Sequence, residues 1–305
     1  MNEERERLFR KLSREEKNDE MIAVESQTFL QAAWKNFKKN KRALVSGIVL
    51  LVVIALAIFG PMMVRYSYET QDPSARNMSA SAQHWFGTDK FGRDIFVRIL
   101  YGARISLMVG LVAAVINLAF GTIYGGISGY AGGKVDMMMM RVVDIIYSVP
   151  SMLYVVLIML LFGASVTSVM IGISISSWIE MARIVRQEVL SLKEQEFTMA
   201  AFVLGASGKR ILLKHLILNA MGPIIVTVTF MVPQAIFTEA WLSFLGIGIS
   251  APLASWGTLA QDARALIEVY PMQTVYPMLA ICITIFAFNF VGEGLGRALD
   301  PKSKR

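Results

Sequence analysis

From Ala43 to Val64 the sequence carries no charged side chain, and Arg65 ends the run. Wound as a helix, this stretch is long enough to cross a hydrocarbon layer of roughly 30 Å. No water is available there to satisfy backbone N–H and C=O groups, so a lipid-crossing run of this length must bond internally, as a helix. Further runs of comparable length cover about Ile105–Tyr130, Met137–Phe162, Val166–Val189, Ile211–Ala240 and Thr274–Leu295. The expected fold is therefore all-α: a polytopic membrane protein with six transmembrane helices. With 55% hydrophobic and only 17% charged residues in 305, the composition leaves little for a separate soluble domain.

The net charge of +7 invites a nucleic-acid reading, but eleven of the thirty Lys and Arg residues precede residue 43. That distribution fits anchoring to a membrane surface, and no nucleic-acid partner is expected. With six spans and the N-terminus inside, most of the basic residues fall on inner segments, so both termini are expected to be cytoplasmic. The outer loop's Arg76, Lys90, Arg93 and Arg98 lie among Glu69, Asp72, Asp89 and Asp94. A seventh span at Leu242–Gly257 would put the basic C-terminus outside. That segment is also broken by Gly246, Gly248 and Pro252, so it reads as a re-entrant or interfacial element backed by protein. No cleavable signal peptide is expected, because the first apolar run follows a long charged leader. The single cysteine, Cys282, excludes an internal disulfide and a cysteine-based metal site.

The chain divides into a cytoplasmic tail (1–26), an interfacial amphipathic helix (27–42), a first transmembrane helix (43–65), an extracytoplasmic loop (66–104), a five-helix core (105–300) and a short tail (301–305). In the interfacial helix Phe29, Leu30, Ala33, Trp34 and Phe37 form the apolar face beside a row of lysines, a pattern suited to membrane lipid. In the long loop, His84, Asp89 and Asp94 lack metal-ligand spacing, and Gly87 and Gly92 are expected at turns. Ala113, Asn117, Gly121, Gly125 and Gly129 recur every four residues, a stripe that lets another helix approach closely. Met137 to Met140 point in different directions on a helix and cannot converge on one metal ion. Arg141 and Asp144 are spaced for an ion pair, as are Glu293 and Arg297, and Pro150 is expected to kink its span.

The spans offer no chain of carboxylates or histidines for a proton relay, Glu239 standing alone near the end of its run. GASGKR superficially resembles a phosphate loop, but Val203 occupies the first glycine position and Arg210 the Ser/Thr position. The chain is not expected to be an enzyme or to hold a cofactor, so a transporter of this kind must take its energy from a partner. The handle is the charged loop 193–210. Phe197, Ala200, Ala201 and Leu204 fall on one helical face, Glu196 and its neighbours suit the positive end of that helix, and Gly205 stops it. Ser207 is placed to cap the next helix. Such a helix can insert into a groove on another protein.

Ala200, Ala201 and Gly205 fit the spacing of the cytoplasmic "EAA" loop of ABC importer permeases, although Met199 replaces the family's Glu and Leu218 its Pro. Glu196 is the acidic residue nearest the vacant position. HWFGTDKFGRDIFVRILYGAR, beginning at His84, is similar to the signature of the dipeptide and oligopeptide permeases. The chain thus resembles the C-type permease of that subfamily, in a bacterial or archaeal cell membrane. The resemblance implies ATPase coupling through Glu196, Phe197, Ala200, Ala201, Leu204 and Gly205. It implies a homologous second permease, two ATPase subunits that hold ATP and Mg, and an external solute-binding protein. Nickel, metal-chelate and glutathione importers share this likeness. A secondary transporter or channel working alone is the alternative from another class, and the absence of inverted repeats counts against it.

Overall fold

The computed structural model describes residues 29–249 and 252–299, and the tails assigned to 1–26 and 301–305 lie outside them. Helix α1 (Phe29–Lys39) ends at Asn40, whose side chain caps α2 (Lys41–Met63) by accepting the Ala43 amide at 3.3 Å. There follow α3 (Ile95–Ala131), α4 (Gly133–Tyr147), α5 (Ser151–Phe162), α6 (Val166–Lys193) and α7 (Glu196–Val203). A turn at Gly208–Arg210 leads into the π-wound α8 (Ile211–Ile217), and then come α9 (Met221–Phe244), α10 (Trp256–Ala263) and α11 (Pro271–Leu299). Among the described residues five helices, α2, α3, α6, α9 and α11, are long and apolar enough to cross a membrane; there are six if α4 and α5 form one span.

The kink expected at Pro150 is there, sharp enough to divide the span into two helices. Tyr147 ends α4, Ser151 begins α5, and the two helices are bent by 73°. Pro150 supplies the reason: it has no N–H to donate, and its ring pushes Val149 out of helical conformation. Helix α3 starts at Ile95, well before the apolar run at Ile105. Asp94 caps it by accepting the Val97 amide at 2.9 Å, and the first turns carry Arg98 and Arg104, which a hydropathy window rejects. Arg104 spends its Nε proton on the Ala57 carbonyl of α2 at 2.5 Å. The regular helix of the fifth run begins at Met221, after the π-wound turns, and α10 begins at the end of the segment expected to be re-entrant or interfacial.

α3 packs along α6, and the small-residue stripe explains how. A Cβ at Gly121 would stand 2.5 Å from that of Met181, and one at Gly125 would strike the Ala182 carbonyl. The stripe is therefore filled within this chain, with α6 lying against it. Asp136 of α4 accepts both Nε and Nη2 of Arg186 at 2.5 Å and the Ser128 hydroxyl at 2.5 Å, joining α3, α4 and α6. The expected Arg141–Asp144 pair is replaced: Asp144 bonds Arg183 of α6 at 3.0 Å. The Glu293–Arg297 pair forms as the spacing predicts, at 2.6 Å.

The loop before α3 is held by charge. Asp89 accepts Arg93 Nε at 2.7 Å and Arg98 Nη1 at 2.8 Å, while Asp262 of α10 accepts the same two arginines at 3.1 and 3.2 Å. His84 Nδ1 lies 2.8 Å from the second oxygen of Asp94. Gly87 and Gly92 have φ of 77° and 75°, the left-handed region expected at turns. Glu239 is fully buried between α3 and α9, accepting Ser243 Oγ at 2.8 Å and Ser106 Oγ at 3.1 Å; Ser106 Oγ also accepts the Trp256 amide at 3.3 Å.

Candidate functional site

α7 is a short helix held at the end of the bundle by its two inward residues. Thr198 donates its hydroxyl to the Leu192 carbonyl at 2.8 Å, and Ala201 is buried in the main core with Val189, Ile211 and Leu216. Lys193 Nζ donates to the Tyr130 carbonyl at 2.7 Å, which fixes the end of α6 against the end of α3. The exit is a Schellman turn: Ala206 N donates to Ala201 O at 3.0 Å and Gly205 N to Phe202 O at 2.9 Å. Gly205 has φ of 80° with nothing within 4 Å of a Cβ placed on it, so the glycine serves backbone conformation and not close packing. Ser207 stands at the N-cap of the next helix but its side chain makes no cap bond there.

The rest of α7 faces outward. Phe202, Val203 and Leu204 are 70%, 78% and 86% exposed, and Phe197, Met199, Ala200 and Glu196 are exposed with them. Of the four residues assigned to one apolar face, Phe197, Ala200 and Leu204 are thus presented, whereas Ala201 turns in. The projecting surface also includes Met199, Phe202 and Val203, which spacing did not select. The reason lies in the sequence TMAAFVL: apolar almost all round, it leaves a period of 3.6 no polar face from which to choose. The contiguity of the apolar residues was the available signal. Leu218, at the family's proline position, is exposed on the turn after α8.

A surface of this size on a short helix, flanked by Lys193, Glu194, Lys209 and Arg210, is not a lipid-crossing segment and is apolar enough to bury against protein. Among the described residues no group of three or more His, Cys, Asp and Glu is placed to hold a metal ion; Asp89 and Asp94 are occupied by arginines and His84.

Among the described residues, five or six segments long and apolar enough to cross a membrane define a multi-pass membrane protein. The chain belongs to the family described as binding-protein-dependent transport system inner membrane component, whose model matches residues 121–305. Residues 28–80 match the N-terminal TM domain of oligopeptide transport permease C. It is 49% identical over 286 residues to the oligopeptide transport system permease protein OppC of Bacillus subtilis, covering 94% of each chain. To the dipeptide transport system permease protein DppC of the same organism it is 44% identical, covering 95% of this chain and 92% of that one. To OppC of Escherichia coli K12 it is 42% identical, covering 93% and 95%. The resemblance carried by the two loops holds over nearly the whole chain.

Proposed function

We propose that this chain is the permease subunit of an ATP-driven, binding-protein-dependent importer of short peptides. The observation that carries this is the 49% identity, over 94% of both chains, to a permease named for oligopeptide transport, with a dipeptide permease at 44%. In this reading the chain forms the path together with a homologous second permease and catalyses nothing itself. Hydrolysis of ATP belongs to two partner ATPases, and an external solute-binding protein delivers the peptide. Both termini lie in the cytoplasm, on the side of α7.

The outward residues of α7 are the coupling surface. Phe197, Met199, Phe202, Val203 and Leu204 bury into a groove on an ATPase, and Ala200 lets its surface approach the helix. Ala201 and Thr198 hold α7 at the height where ATPase closure is transmitted through α6 and α8. Gly205 fixes the angle at which the chain leaves. Glu196, exposed in the first turn, is the acidic group that serves where Met199 has replaced the family's carboxylate.

Uptake decides the solute. Cells lacking this chain should lose import of labelled di- to pentapeptides and regain it when the chain is restored, with nickel and glutathione uptake unchanged. Loss of nickel or glutathione uptake with peptide import intact would transfer the assignment to those solutes.

A further inference from the structure

The bend between α4 and α5 opens a cavity of about 490 Å³, within the roughly 300–1,000 Å³ typical of small-molecule sites. Its walls include Asn117 of α3, Ser176, Ser177 and Glu180 of α6, and Gln234 and Thr238 of α9. All six lie well inside their helices. Glu180, placed by the sequence near the inner end of a span, sits at about the middle of α6 because that helix continues to Lys193.

Their hydrogen bonding is unequal. Asn117 accepts the Ser177 hydroxyl at 2.8 Å, and Thr238 donates to the Gln234 carbonyl at 2.9 Å. Among the described residues the Glu180 carboxylate and the Gln234 amide have no partner, and both are exposed. The nearest cation on the same helix is committed elsewhere: Arg183 bonds Asp144 and lies 4.4 Å from the centre of the Tyr147 ring. An unpaired carboxylate and an unpaired amide midway along membrane-crossing helices are costly against lipid and are kept where they meet water, a partner or a passing solute. Pro150, at the break between α4 and α5, lines the cavity together with Tyr147 and Ser151.

We infer that this cavity is this chain's half of a peptide passage, in which Glu180 receives the cationic ammonium end of the peptide while the amide and hydroxyl groups of Asn117, Ser176, Gln234 and Thr238 meet its backbone. The inference rests on the proposed peptide function. The chemistry suits solutes of varied sequence. Neutral hydrogen-bonding groups read the C=O and N–H that every peptide has, and the carboxylate reads the one positive group common to peptides with a free amino terminus. No lysine, arginine or histidine lines the cavity to compete for Glu180.

The test uses the whole transporter in proteoliposomes, with Cys282→Ala removing this chain's only native thiol and the partner subunits likewise freed of any reagent-accessible cysteine. Single cysteines at Ser176 and Thr238 should react with a membrane-impermeant cationic thiol reagent and be protected by peptide-loaded binding protein with ATP. One at the exposed Leu157 of α5 should not react. Two tripeptides, free and N-acetylated, each first verified to bind the solute-binding protein, are then compared. Glu180→Gln should slow uptake of the free-amine peptide about tenfold, the scale of one charged hydrogen bond, and leave the acetylated one unchanged; Glu180→Asp should recover most of the loss. Thiols at both positions that resist the reagent in every nucleotide state overturn the passage. Equal uptake of the free-amine peptide by wild type and Glu180→Gln overturns the ammonium site while leaving the proposed function standing. A wild-type transporter that moves neither tripeptide overturns both.

Discussion

Ala201, in α7, and Leu204, the residue that caps it, sit three residues apart and do opposite things. Leu204 is 86% exposed, whereas Ala201 is buried in the core. Leu204→Asp is expected to leave the permease folded and inserted while abolishing solute-stimulated ATPase activity, because it places an unpaired charge on the surface proposed to meet the ATPase. Ala201→Asp should instead lower the thermal stability of the isolated permease, since the charge is forced among Val189, Ile211 and Leu216. Thermal unfolding in detergent, read beside ATPase activity of the assembled complex, separates the two. A second residue-scale expectation concerns Glu239. Removing its carboxylate by Glu239→Ala leaves the buried Ser106 and Ser243 hydroxyls short of an acceptor, at about 1–3 kcal/mol each. Glu239→Gln keeps one acceptor oxygen and should unfold at a temperature closer to wild type.

At the level of elements, α3 and α6 are packed as a unit. A leucine at Gly125 has nowhere to go, because even its Cβ meets the backbone of Ala182. Overpacking against backbone costs about 1–3 kcal/mol or more, so Gly125→Leu should depress the melting temperature and the yield of inserted protein. Leu at Gly133, with nothing within 4 Å of its Cβ, serves as the uncrowded control, although its φ of 54° adds backbone strain. Much of this was legible in the sequence. Five of the six apolar runs marked the long helices α2, α3, α6, α9 and α11, the four-residue spacing of small side chains gave the α3 face that α6 covers, and Gly87, Gly92 and Gly205 marked left-handed turns. What stayed hidden depended on neighbours distant along the chain. Asp144 chose Arg183 of another helix over Arg141 of its own, and α3 extends back to Ile95 because its arginines find partners in α2 and α10. The outward face of α7 was only half legible, since an all-apolar helix carries no periodic signal.

For the molecule as a whole, the expected arrangement has an even number of crossings and both termini on one side, with α4 and α5 together counted as one broken span. Cysteines introduced one at a time at Ser79 and Ser303, in a chain relieved of Cys282, should be reachable by impermeant reagents from opposite sides of the membrane. Reaction of both from the same side would exclude six crossings. The ends of α3, α4 and α6 are tied together by the Asp136–Arg186 pair, and beyond the 73° break α5 packs on α6 so closely that a Cβ on Gly172 would stand 2.5 Å from Val155 Cα.

The Asp89 cluster carries a consequence for how such a chain is made. Arg93 and Arg98 are nearly buried, and the second carboxylate they share, Asp262, lies 169 and 164 residues further along. A ribosome delivers the arginines long before it delivers that partner. While the later helices are still being synthesised, two guanidinium groups share Asp89 alone, and the loop ahead of α3 stays unlatched until α10 arrives. Assembly at that end is therefore completed late, by the C-terminal third of the chain. A nascent polypeptide halted before Asp262 should leave this loop open to protease although α3 is already inserted, and one released after α11 should protect it.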